Sequence, residues 1–359
     1  MKPGVALIMA GGTGGHIFPG LALAQALRER GWRVHWLGGT GSASAPSMES
    51  RLVPAQGYDF HALDFSGVRG KGLAPLLRLP WRLLRACWQS LAVLRRIKPD
   101  IVLGLGGYIT LPGGLMSVLR GKPLILHEQN SVAGLANRVL ALLAARVFSA
   151  FPDVLKRGIW VGNPLRAAFI DGPGPAERFA ARSGPLQLLV LGGSLGARAL
   201  NDVVPRALAL IPAAERPQVI HQSGATQIDA LRANYASAGV QAQLTPFIDE
   251  PAQAFAQADL VLCRAGASTV SELAAVGAAA VLVPFPSAVD DHQTHNARFM
   301  VERAAAWLLP QSELTPQRLA ALLQQTDRAS LLACALAARK LQMIDATEQI
   351  VAACEELRR

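Results

Sequence analysis

The sequence has few cysteines and no long uninterrupted apolar run, and these shortages exclude several classes of protein. Its four cysteines lie far apart without a CxxC pair, so neither a zinc knuckle nor a disulfide framework is indicated and a reducing compartment is expected. The longest apolar stretch, residues 273–286, contains Gly277 and Pro284 and is shorter than a membrane-spanning helix. The apolar run at residues 5–10 is too brief for the core of a signal peptide, so export is not expected.

Charged residues are also scarce, and acidic residues scarcest. Only 17% of the residues are charged while 51% are hydrophobic, which excludes a disordered chain and is typical of buried parallel strands. Lys and Arg number 35 against 25 for Asp and Glu, giving a formal charge of +10. This excess favours anionic partners: nucleic acid, acidic lipid or phosphorylated metabolites.

The length and the periodicity indicate two α/β domains. At 359 residues the chain exceeds what one compact core usually holds. Short β-rich runs alternate with helical Ala/Leu/Arg segments in a first series ending near residue 150, and a second series begins near residue 186. Residues 161–185 are rich in Pro and Gly without a lasting period, which predicts a connector and a boundary near Asn163. Two doubly wound parallel sheets are expected.

Glycine-rich segments follow several predicted strands: "AGGTGGHIFPG" at residues 10–20, "GLGGYITLPGG" at 104–114 and "GGSLGA" at 192–197. Such a turn brings backbone N–H groups and the positive end of the following helix to one place, which suits a diphosphate. Neither a Walker sequence nor GxGxxG with a following acid is present, which disfavours ATP hydrolysis and NAD chemistry. The alternative is that these glycines only permit tight turns.

A fourth strand exit, "CRAGASTVSE" at residues 263–272, admits two interpretations. Thr269 and Glu272 have the spacing of a capping box, in which both side chains satisfy amides of the first helical turn. Alternatively Glu272 accepts hydrogen bonds from a ribose diol, as acidic residues do in dinucleotide sites. Spacing alone favours the capping box.

Motifs along residues 5–300 together resemble the MurG family, the bacterial N-acetylglucosaminyltransferases that convert lipid I to lipid II. They include "MAGGTGGHIFPGLALAQAL", "HEQNSVAGLANR", "VGNPLR", "LGGSLGARALN", "FIDE", "CRAGASTVSELAAVG" and "DHQTHNA", in the family's order. The resemblance implies an α/β GT-B fold, with two Rossmann-like domains and an interdomain cleft. Residues 1–163 with 342–359 would bind acceptor and membrane, and residues 164–341 would bind UDP-GlcNAc.

The resemblance also implies roles for individual residues. Thr13, Gly14 and Gly15 would border the donor and the acceptor diphosphate, Asn130 would touch the sugar, and Arg166 and Ile248 would flank the uracil. Glu272 would bind the ribose hydroxyls and Gln293 the sugar hydroxyls, while the UDP diphosphate and ribose region would be held by Ser194, Ala267, Ser268, Thr269, Val270 and Ser271. The sequence departs from the family in a longer loop at residues 39–49 and in Leu195, where Gln is common, so Leu195 is assigned no contact.

A β-linkage formed from an α-linked UDP-sugar at the C4 hydroxyl of MurNAc requires in-line attack and a base. His16 is the candidate, because imidazole titrates near neutrality and this one adjoins the first glycine loop; it could instead bond a carbonyl or contact a phosphate. Glu128 is the reserve candidate and could instead orient its neighbours. No Asp-x-Asp motif occurs, so neither a metal nor a cofactor is expected.

The segment from Phe65 to Pro99 contains no acid and eight basic residues, Arg69, Lys71, Arg78, Arg82, Arg85, Arg95, Arg96 and Lys98. Leucines and two tryptophans interleave them, as in a helix lying on an anionic membrane surface. The segment adds anionic membrane lipids to the partners that the resemblance implies, which are UDP-GlcNAc and lipid I (undecaprenyl-pyrophosphoryl-MurNAc-pentapeptide), and the expected location is the cytoplasmic face of the plasma membrane. The alternative is an ordinary surface helix whose leucines face the core.

Other functions fit parts of this pattern. UDP-N-acetylglucosamine 2-epimerases share the fold and the donor but need no membrane-binding segment. A non-catalytic nucleotide-binding scaffold would leave His16 unexplained. A nucleic-acid partner is disfavoured, because the basic residues accompany Trp and Leu rather than an aromatic stacking surface.

Overall fold

A computed structural model describes residues 3–42, 45–65, 78–193 and 196–358 of the chain. The chain forms two compact units: unit 1 comprises Met1–Leu165 and Ile344–Arg359, and unit 2 comprises Arg166–Met343. Each unit contains one parallel sheet covered by helices, which confirms the expected α/β class.

Unit 1 has a seven-stranded parallel sheet in the order β5-β2-β1-β6-β7-β8-β9. The strand order reverses between β1 and β6, the point at which ligands bind in open parallel sheets. Buried side chains cover both faces of the sheet, with Ile8 on one face and Leu7 on the other, as the continuous apolar runs predict. The strands are β1 Val5–Met9, β2 Arg33–Gly39, β5 Asp59–Leu63, β6 Ile101–Gly104, β7 Leu124–Glu128, β8 Arg146–Ser149 and β9 Ile159–Trp160, and a separate antiparallel pair is β3 Gly41–Ser42 with β4 Ala45–Pro46.

The helices of unit 1 connect these strands, and the last of them comes from the C-terminus. They are α1 Gly14–Glu29, α2 Met48–Ala55, α3 Leu79–Ile97, α4 Thr110–Leu119, α5 Leu135–Leu140 and, at the chain end, α14 Ala346–Arg358. Helix α14 buries Ile350 and Val351 in the core beneath α1. Arg30 of α1 pairs with Glu348 and Glu355 of α14, which fastens the C-terminal helix to this unit.

Unit 2 repeats the plan with a six-stranded parallel sheet in the order β12-β11-β10-β13-β14-β15. The order reverses between β10 and β13, so both glycine-rich exits of this unit leave from adjacent strands. The strands are β10 Gln187–Leu191, β11 Gln218–Gln222, β12 Gln243–Thr245, β13 Leu260–Cys263, β14 Ala280–Leu282 and β15 Trp307–Leu308. The helices are α6 Pro175–Ala180, α7 Arg198–Ala209, α8 Ile228–Ala238, α9 Pro251–Gln257, α10 Ala267–Val276, α11 His292–Val301, α12 Pro316–Gln325 and α13 Arg328–Arg339.

Most of the segment expected to be a connector is folded into unit 2. Residues 167–169 form a 3₁₀ turn that buries Phe169 against Phe255, and α6 follows at residues 175–180. Arg178 of α6 donates to the backbone carbonyls of Val276 and Gly277 at 2.9 and 2.6 Å. The predicted connector at residues 161–185 is therefore mostly part of unit 2, and the sequence did not reveal this because short elements with Pro and Gly at their ends show no lasting period.

Candidate active site

The first glycine loop joins β1 to α1 in unit 1. Thr13 occupies the N-cap position, and its side chain makes no capping hydrogen bond. The first turn of α1, which includes Gly14 and Gly15, contains no acidic residue. The amides of Gly14 and Gly15 are therefore without a side-chain cap, and no acidic residue in the first turn of the helix itself offsets the positive end of its dipole. This is the chemistry of an anion site.

A buried carboxylate that the sequence did not indicate lies beneath this loop. Glu49, in the first turn of α2, is fully buried and accepts from the backbone N–H groups of Gly12 at 3.4 Å and Gly39 at 3.2 Å. The start of α2 is fixed by its N-cap Ser47, which donates to the carbonyl of Gly39 at 2.6 Å. Glu49 thus ties the first glycine loop to the end of β2.

The exit from β6 packs against the first glycine loop. A Cβ atom at Gly106 would lie 2.8 Å from Cε1 of His16, and one at Gly107 would lie 2.5 Å from the carbonyl oxygen of Gly11. Both glycines have positive φ, at 96° and 81°. Side chains at these positions would separate the two loops, so the glycines of residues 104–114 serve close approach as well as turning.

His16, the third residue of α1, contacts the HEQN segment at the end of β7. Its Nδ1 lies 2.7 Å from Oε1 of Gln129. Gln129 is buried, and its Nε2 lies 3.0 Å from Nδ1 of His127. His127 is buried too, and burial lowers its pKa to about 4, so its ring is neutral. The Nδ1 atom of His16 therefore contacts a buried chain of polar side chains, formed by Gln129 and His127, while the imidazole remains partly exposed.

The geometry of Glu128 favours the orienting role over the role of reserve base. Its buried carboxylate accepts from the backbone N–H groups of Asn130 and Gly134 at 3.0 and 3.1 Å, and from the side-chain amide of Asn137 at 2.9 Å. Both oxygens are engaged in shaping the loop after β7. Glu128 accordingly fixes the position of Asn130, the residue expected to touch the sugar.

Unit 2 presents a second helix N-terminus with the same properties at α10. The N-cap is Gly266, without a side chain, and no acidic residue stands in the first turn. Because α10 already begins at Ala267, Thr269 is its third residue and the capping-box interpretation of Thr269 and Glu272 is wrong. The hydroxyl of Ser268 is buried and has no hydrogen-bond partner in the described part of the chain. A buried hydroxyl without a protein partner, at an uncapped helix N-terminus, suits the binding of a polar or anionic group. Residues 267–271, which include Val270 and Ser271, form the first turn of α10 and the start of its second turn.

Glu272 lies on the same helix and carries an unusual carboxyl group. Desolvation raises its pKa to about 7, and the nearby guanidinium of Arg166 counteracts part of that rise. Arg166 precedes the 3₁₀ turn at residues 167–169, which packs against both α9 and α10. The structure therefore brings together the residues expected to hold the ribose and one side of the uracil.

The glycine loop after β10 is held by the HQSG segment. Gln222 accepts from the N–H of Gly192 at 3.1 Å and donates to the carbonyls of Gly193 and Pro246 at 3.0 and 3.1 Å. Gly196 has φ of 77°, and a Cβ there would collide with the carbonyl oxygen of Ser223. Ser194 and Leu195 lie outside the described residues.

Ile248 lies on a loop of unit 2, and Gln293 lies at the start of α11 in the same unit. Ile248 lines a surface cavity of about 250 Å³ between β12 and α9, together with Phe247. Gln293, the second residue of α11, accepts from the N–H of Phe285 at 2.9 Å, which leaves its amide NH₂ to donate. Arg264 donates to the carbonyls of Val283 and Pro284 at 3.1 and 3.2 Å and so fixes the loop that precedes Gln293.

Helix α3 carries the described part of the basic segment, and one of its faces is unusually apolar. Trp81, Leu84 and Trp88 are 78%, 53% and 69% exposed and share one face at helical spacing. Arg85 is exposed beside them and pairs with Asp64 at 3.1 Å. The opposite face packs into the core through Ala86, Val93 and Leu94. The alternative interpretation, an ordinary surface helix packed against the core, therefore holds for this face. Arg69 and Lys71 lie outside the described residues.

Among the described residues, no three His, Cys, Asp or Glu side chains are grouped so that they could hold a metal ion. None of the described helices has the length and apolarity needed to cross a membrane.

Sequence reasoning missed the residues that hold the loops in place: Glu49, Gln129, Gln222 and Arg264. Gln129 follows directly on β7, in "HEQN", and Gln222 is the last residue of β11, in "HQSG". Polar residues at the ends of buried parallel strands are a signal that could have indicated them. Arg264 carries the same signal, because it follows directly on β13, whereas Glu49 had none, because its partners are backbone groups distant in sequence.

Comparisons with known proteins agree with this geometry. The model for the glycosyltransferase family 28 N-terminal domain matches residues 6–149, and that for the family 28 C-terminal domain matches residues 187–350. A protein of Albidiferax ferrireducens, named UDP-N-acetylglucosamine--N-acetylmuramyl-(pentapeptide) pyrophosphoryl-undecaprenol N-acetylglucosamine transferase, is 76% identical over 99% of this chain and 92% of its own length.

Two solved structures, a glycosyltransferase and an epimerase, differ clearly in their sequence identity to this chain. The crystal structure of Acinetobacter baumannii MurG matches with a TM-score of 0.85 and 38% identity, covering 99% of this chain and 100% of that one. A putative UDP-N-acetylglucosamine 2-epimerase from Listeria monocytogenes matches with a TM-score of 0.66 but only 15% identity, over 99% and 97% of the two chains. The second likeness concerns the fold alone.

Proposed function

The chain belongs to glycosyltransferase family 28 and, within it, to the MurG N-acetylglucosaminyltransferases with the GT-B fold, and from this membership we propose the reaction that it catalyses. It moves GlcNAc from UDP-GlcNAc to the C4 hydroxyl of MurNAc in lipid I, producing lipid II for peptidoglycan. The observation that carries the proposal is the presence in both units, at α1 and at α10, of an uncapped helix N-terminus after a glycine-rich or glycine-ended strand exit, without an acid in its first turn. Two sites for phosphoryl groups suit a reaction between two diphosphate-linked sugars.

Unit 2 binds the donor. The first turn of α10 receives the diphosphate of UDP, and the unsatisfied hydroxyl of Ser268 supplies one hydrogen bond to it. Glu272 accepts from the ribose hydroxyls, Arg166 and the backbone of Ile248 flank the uracil, and the free NH₂ of Gln293 donates to the sugar. Ser194, outside the described residues, belongs to the same group in this proposal.

Unit 1 binds the acceptor and supplies the base. Thr13, Gly14 and Gly15 receive the acceptor diphosphate, and Asn130, held by Glu128, contacts the sugar. The C4 oxygen of MurNAc forms a bond to the anomeric carbon as the bond from that carbon to the UDP oxygen breaks. The hydroxyl proton passes to the imidazole of His16, and the bonding electron pair leaves with UDP. Helix amides at the diphosphate stabilise that leaving charge.

The discriminating experiment incubates the protein with UDP-GlcNAc and a soluble lipid I analogue. UDP release that requires the acceptor, with formation of the disaccharide, is expected. Release that yields ManNAc without acceptor would identify an epimerase, and binding without turnover would identify a scaffold. The variant His16→Ala is expected to lower kcat by about 10²-fold or more with little change in the affinity for UDP-GlcNAc. Near-normal turnover would remove His16 from the role of base.

The exposed apolar face of α3 supports binding to the membrane that holds lipid I. Its two tryptophans and one leucine are flanked by exposed arginines, and the exposed Leu119 ends α4, the helix packed beside α3. Basic side chains near an anionic leaflet contribute at most about 1 kcal/mol each, which gives reversible attachment. The proposed location is therefore the cytoplasmic face of the plasma membrane, without a spanning segment.

A further inference from the structure

A continuous chain of hydrogen bonds lies behind His16 in unit 1. Nδ1 of His16 is 2.7 Å from Oε1 of Gln129, and Nε2 of Gln129 is 3.0 Å from Nδ1 of His127 and 3.1 Å from the backbone oxygen of His127. Nε2 of His127 is 2.8 Å from the backbone oxygen of Gly162. The chain thus meets two main-chain carbonyls, which accept hydrogen bonds and never donate them.

These two carbonyls determine which atom carries the proton at each link. Because the oxygen of Gly162 can only accept, Nε2 of His127 carries the ring proton. His127 is fully buried and neutral, so its Nδ1 is a lone pair that accepts. The Gln129 nitrogen therefore donates both to this lone pair and to the carbonyl of His127. The side-chain amide has one orientation that satisfies both, and it turns the amide oxygen toward His16.

An oxygen that faces Nδ1 of His16 requires that this nitrogen carry the proton. A neutral imidazole has one ring proton, so Nε2 of His16 is left as a lone pair, and it has no hydrogen-bond partner in the described part of the chain. We propose that Gln129, oriented by His127, is a positioning residue that fixes His16 in the tautomer able to accept a proton at Nε2. The inference rests on the proposed function in taking His16 as the base.

The same surroundings hold the ring in place as well as its proton. Cε1 and Nδ1 of His16 lie 2.8 and 3.0 Å from where a Cβ atom at Gly106 would stand, so the loop after β6 covers this edge of the imidazole. An unconstrained imidazole exchanges its proton between the two nitrogens, and the partner of one nitrogen decides which form dominates. A base protonated on the wrong nitrogen cannot take up the acceptor proton until it exchanges.

The test is nitrogen NMR of the full-length protein labelled with ¹⁵N-histidine, at about pH 8.5, well above the range in which histidine side chains ordinarily titrate. His16→Gln identifies the His16 signals among the seven histidines by their loss. In the wild type, Nδ1 of His16 is expected to appear protonated and Nε2 unprotonated. Gln129→Met should convert this pattern to a mixture or to the opposite form, because methionine offers no comparable acceptor.

Gln25→Met, an exposed glutamine-to-methionine change on α1, is the matched control and should alter nothing. In the transfer assay Gln129→Met should lower kcat by about tenfold, less than removal of the base itself, with the KM for UDP-GlcNAc unchanged.

A protonated Nε2 on His16 in the wild type would overturn the inference, and so would a wild-type tautomer in Gln129→Met. Both readouts need no substrate, so they are independent of the proposed reaction. If His16→Ala instead kept its turnover while the tautomer pattern held, the base assignment would fail and the effect of Gln129 on the imidazole would stand.

Discussion

At the scale of single residues, Glu272 is the side chain whose chemistry is most constrained. A carboxylate that accepts from ribose hydroxyls must be ionised, yet burial raises its pKa to about 7 in the free protein. Binding therefore requires loss of a proton below that pH. The sugar nucleotide itself does not titrate in this range, because both of its phosphates are esterified, so a pH dependence of affinity reports on the protein.

We expect the Kd for UDP-GlcNAc to rise about tenfold between pH 8 and pH 6, because at pH 6 only about a tenth of a group of pKa 7 is ionised. Glu272→Gln should bind more weakly at pH 8 and lose most of this dependence. Isothermal titration calorimetry in buffers of different ionisation enthalpy would also detect the released proton. A wild-type affinity that is constant from pH 6 to pH 8 would contradict the ribose role.

The raised pKa of Glu272 also affects the stability of the fold, and this effect changes with pH in the direction opposite to the affinity for UDP-GlcNAc. The folded pKa of Glu272 is raised above the ordinary value for a glutamate, so the folded state binds more protons between about pH 4.5 and 7. The contribution of this group to stability is present at low pH and is lost as pH rises through 7. Glu272→Gln should therefore melt higher than the wild type at pH 8 and by a smaller margin at pH 5.

Glu49 allows a test in which two explanations predict opposite changes in the binding of the acceptor. If its charge acted mainly by repulsion, Glu49→Gln would tighten binding of the acceptor diphosphate at the first glycine loop. If it acts by holding the amides of Gly12 and Gly39, the variant should raise the acceptor KM by up to about tenfold, the equivalent of one hydrogen bond. We expect the second result, with the donor KM unchanged.

The control for this experiment is Glu29→Gln, which removes one negative charge from the exposed end of α1 and should leave both KM values as they were. Steady-state kinetics with the donor and the acceptor varied in turn give the required comparison. A lower acceptor KM in Glu49→Gln would refute the positioning role.

At the scale of elements, α3 has one face packed in the core and one exposed apolar face, for which we propose binding to the membrane. Its buried face joins the core of unit 1, while Trp81 and Trp88 project from the other face. Trp81→Ala with Trp88→Ala should reduce binding to vesicles containing anionic lipid by at least about tenfold, because two large apolar side chains no longer enter the interface. Co-sedimentation with vesicles measures this directly.

Leu210→Ala, at a leucine that is 52% exposed in unit 2, is the matched control and should not change vesicle binding. Binding by the wild type should weaken as salt is raised and should be weaker with neutral lipid, because exposed charges are screened within about 10 Å at 0.1 M salt. Equal binding to neutral and anionic vesicles would rule out the electrostatic part of the proposal.

Elements were predictable from the sequence where their pattern was strong. The apolar runs of β1, β2, β6, β7 and β10 indicated buried parallel strands, and the structure has strands there. Strands β5, β9, β12 and β15 lie toward the sheet edges, are short or partly exposed, and gave no comparable signal. Helix α10 shows the limit of a local rule, because Thr269 and Glu272 match a capping box in sequence while Gly266 is the actual N-cap.

Part of the candidate site could also be proposed from the sequence. Glycine turns identified where phosphoryl groups could bind, and the family resemblance supplied roles for individual residues. The partners of Glu49, Gln129, Gln222 and Arg264 were not predictable, even where a position at a strand end could have indicated the residue, because only the tertiary fold brings these groups near. A single sequence does not record such partners.

At the scale of the whole molecule, each unit repeats one arrangement: a parallel sheet, a glycine-containing exit at the reversal of strand order and an uncapped helix beyond it. The duplicated arrangement supports the proposal that the chain holds two diphosphate-linked sugars, one in each unit. The basic apolar face of α3 belongs to unit 1, the unit that is proposed to bind the lipid-linked sugar.

The most direct test is a crystal structure of the protein soaked with UDP-GlcNAc. We expect the diphosphate within hydrogen-bond distance of the backbone amides of residues 267–269 and the hydroxyl of Ser268, with the ribose on Glu272. Well-defined density for the nucleotide at any other place on the protein, with the first turn of α10 left empty, would contradict the proposed donor site and the reaction inferred from it.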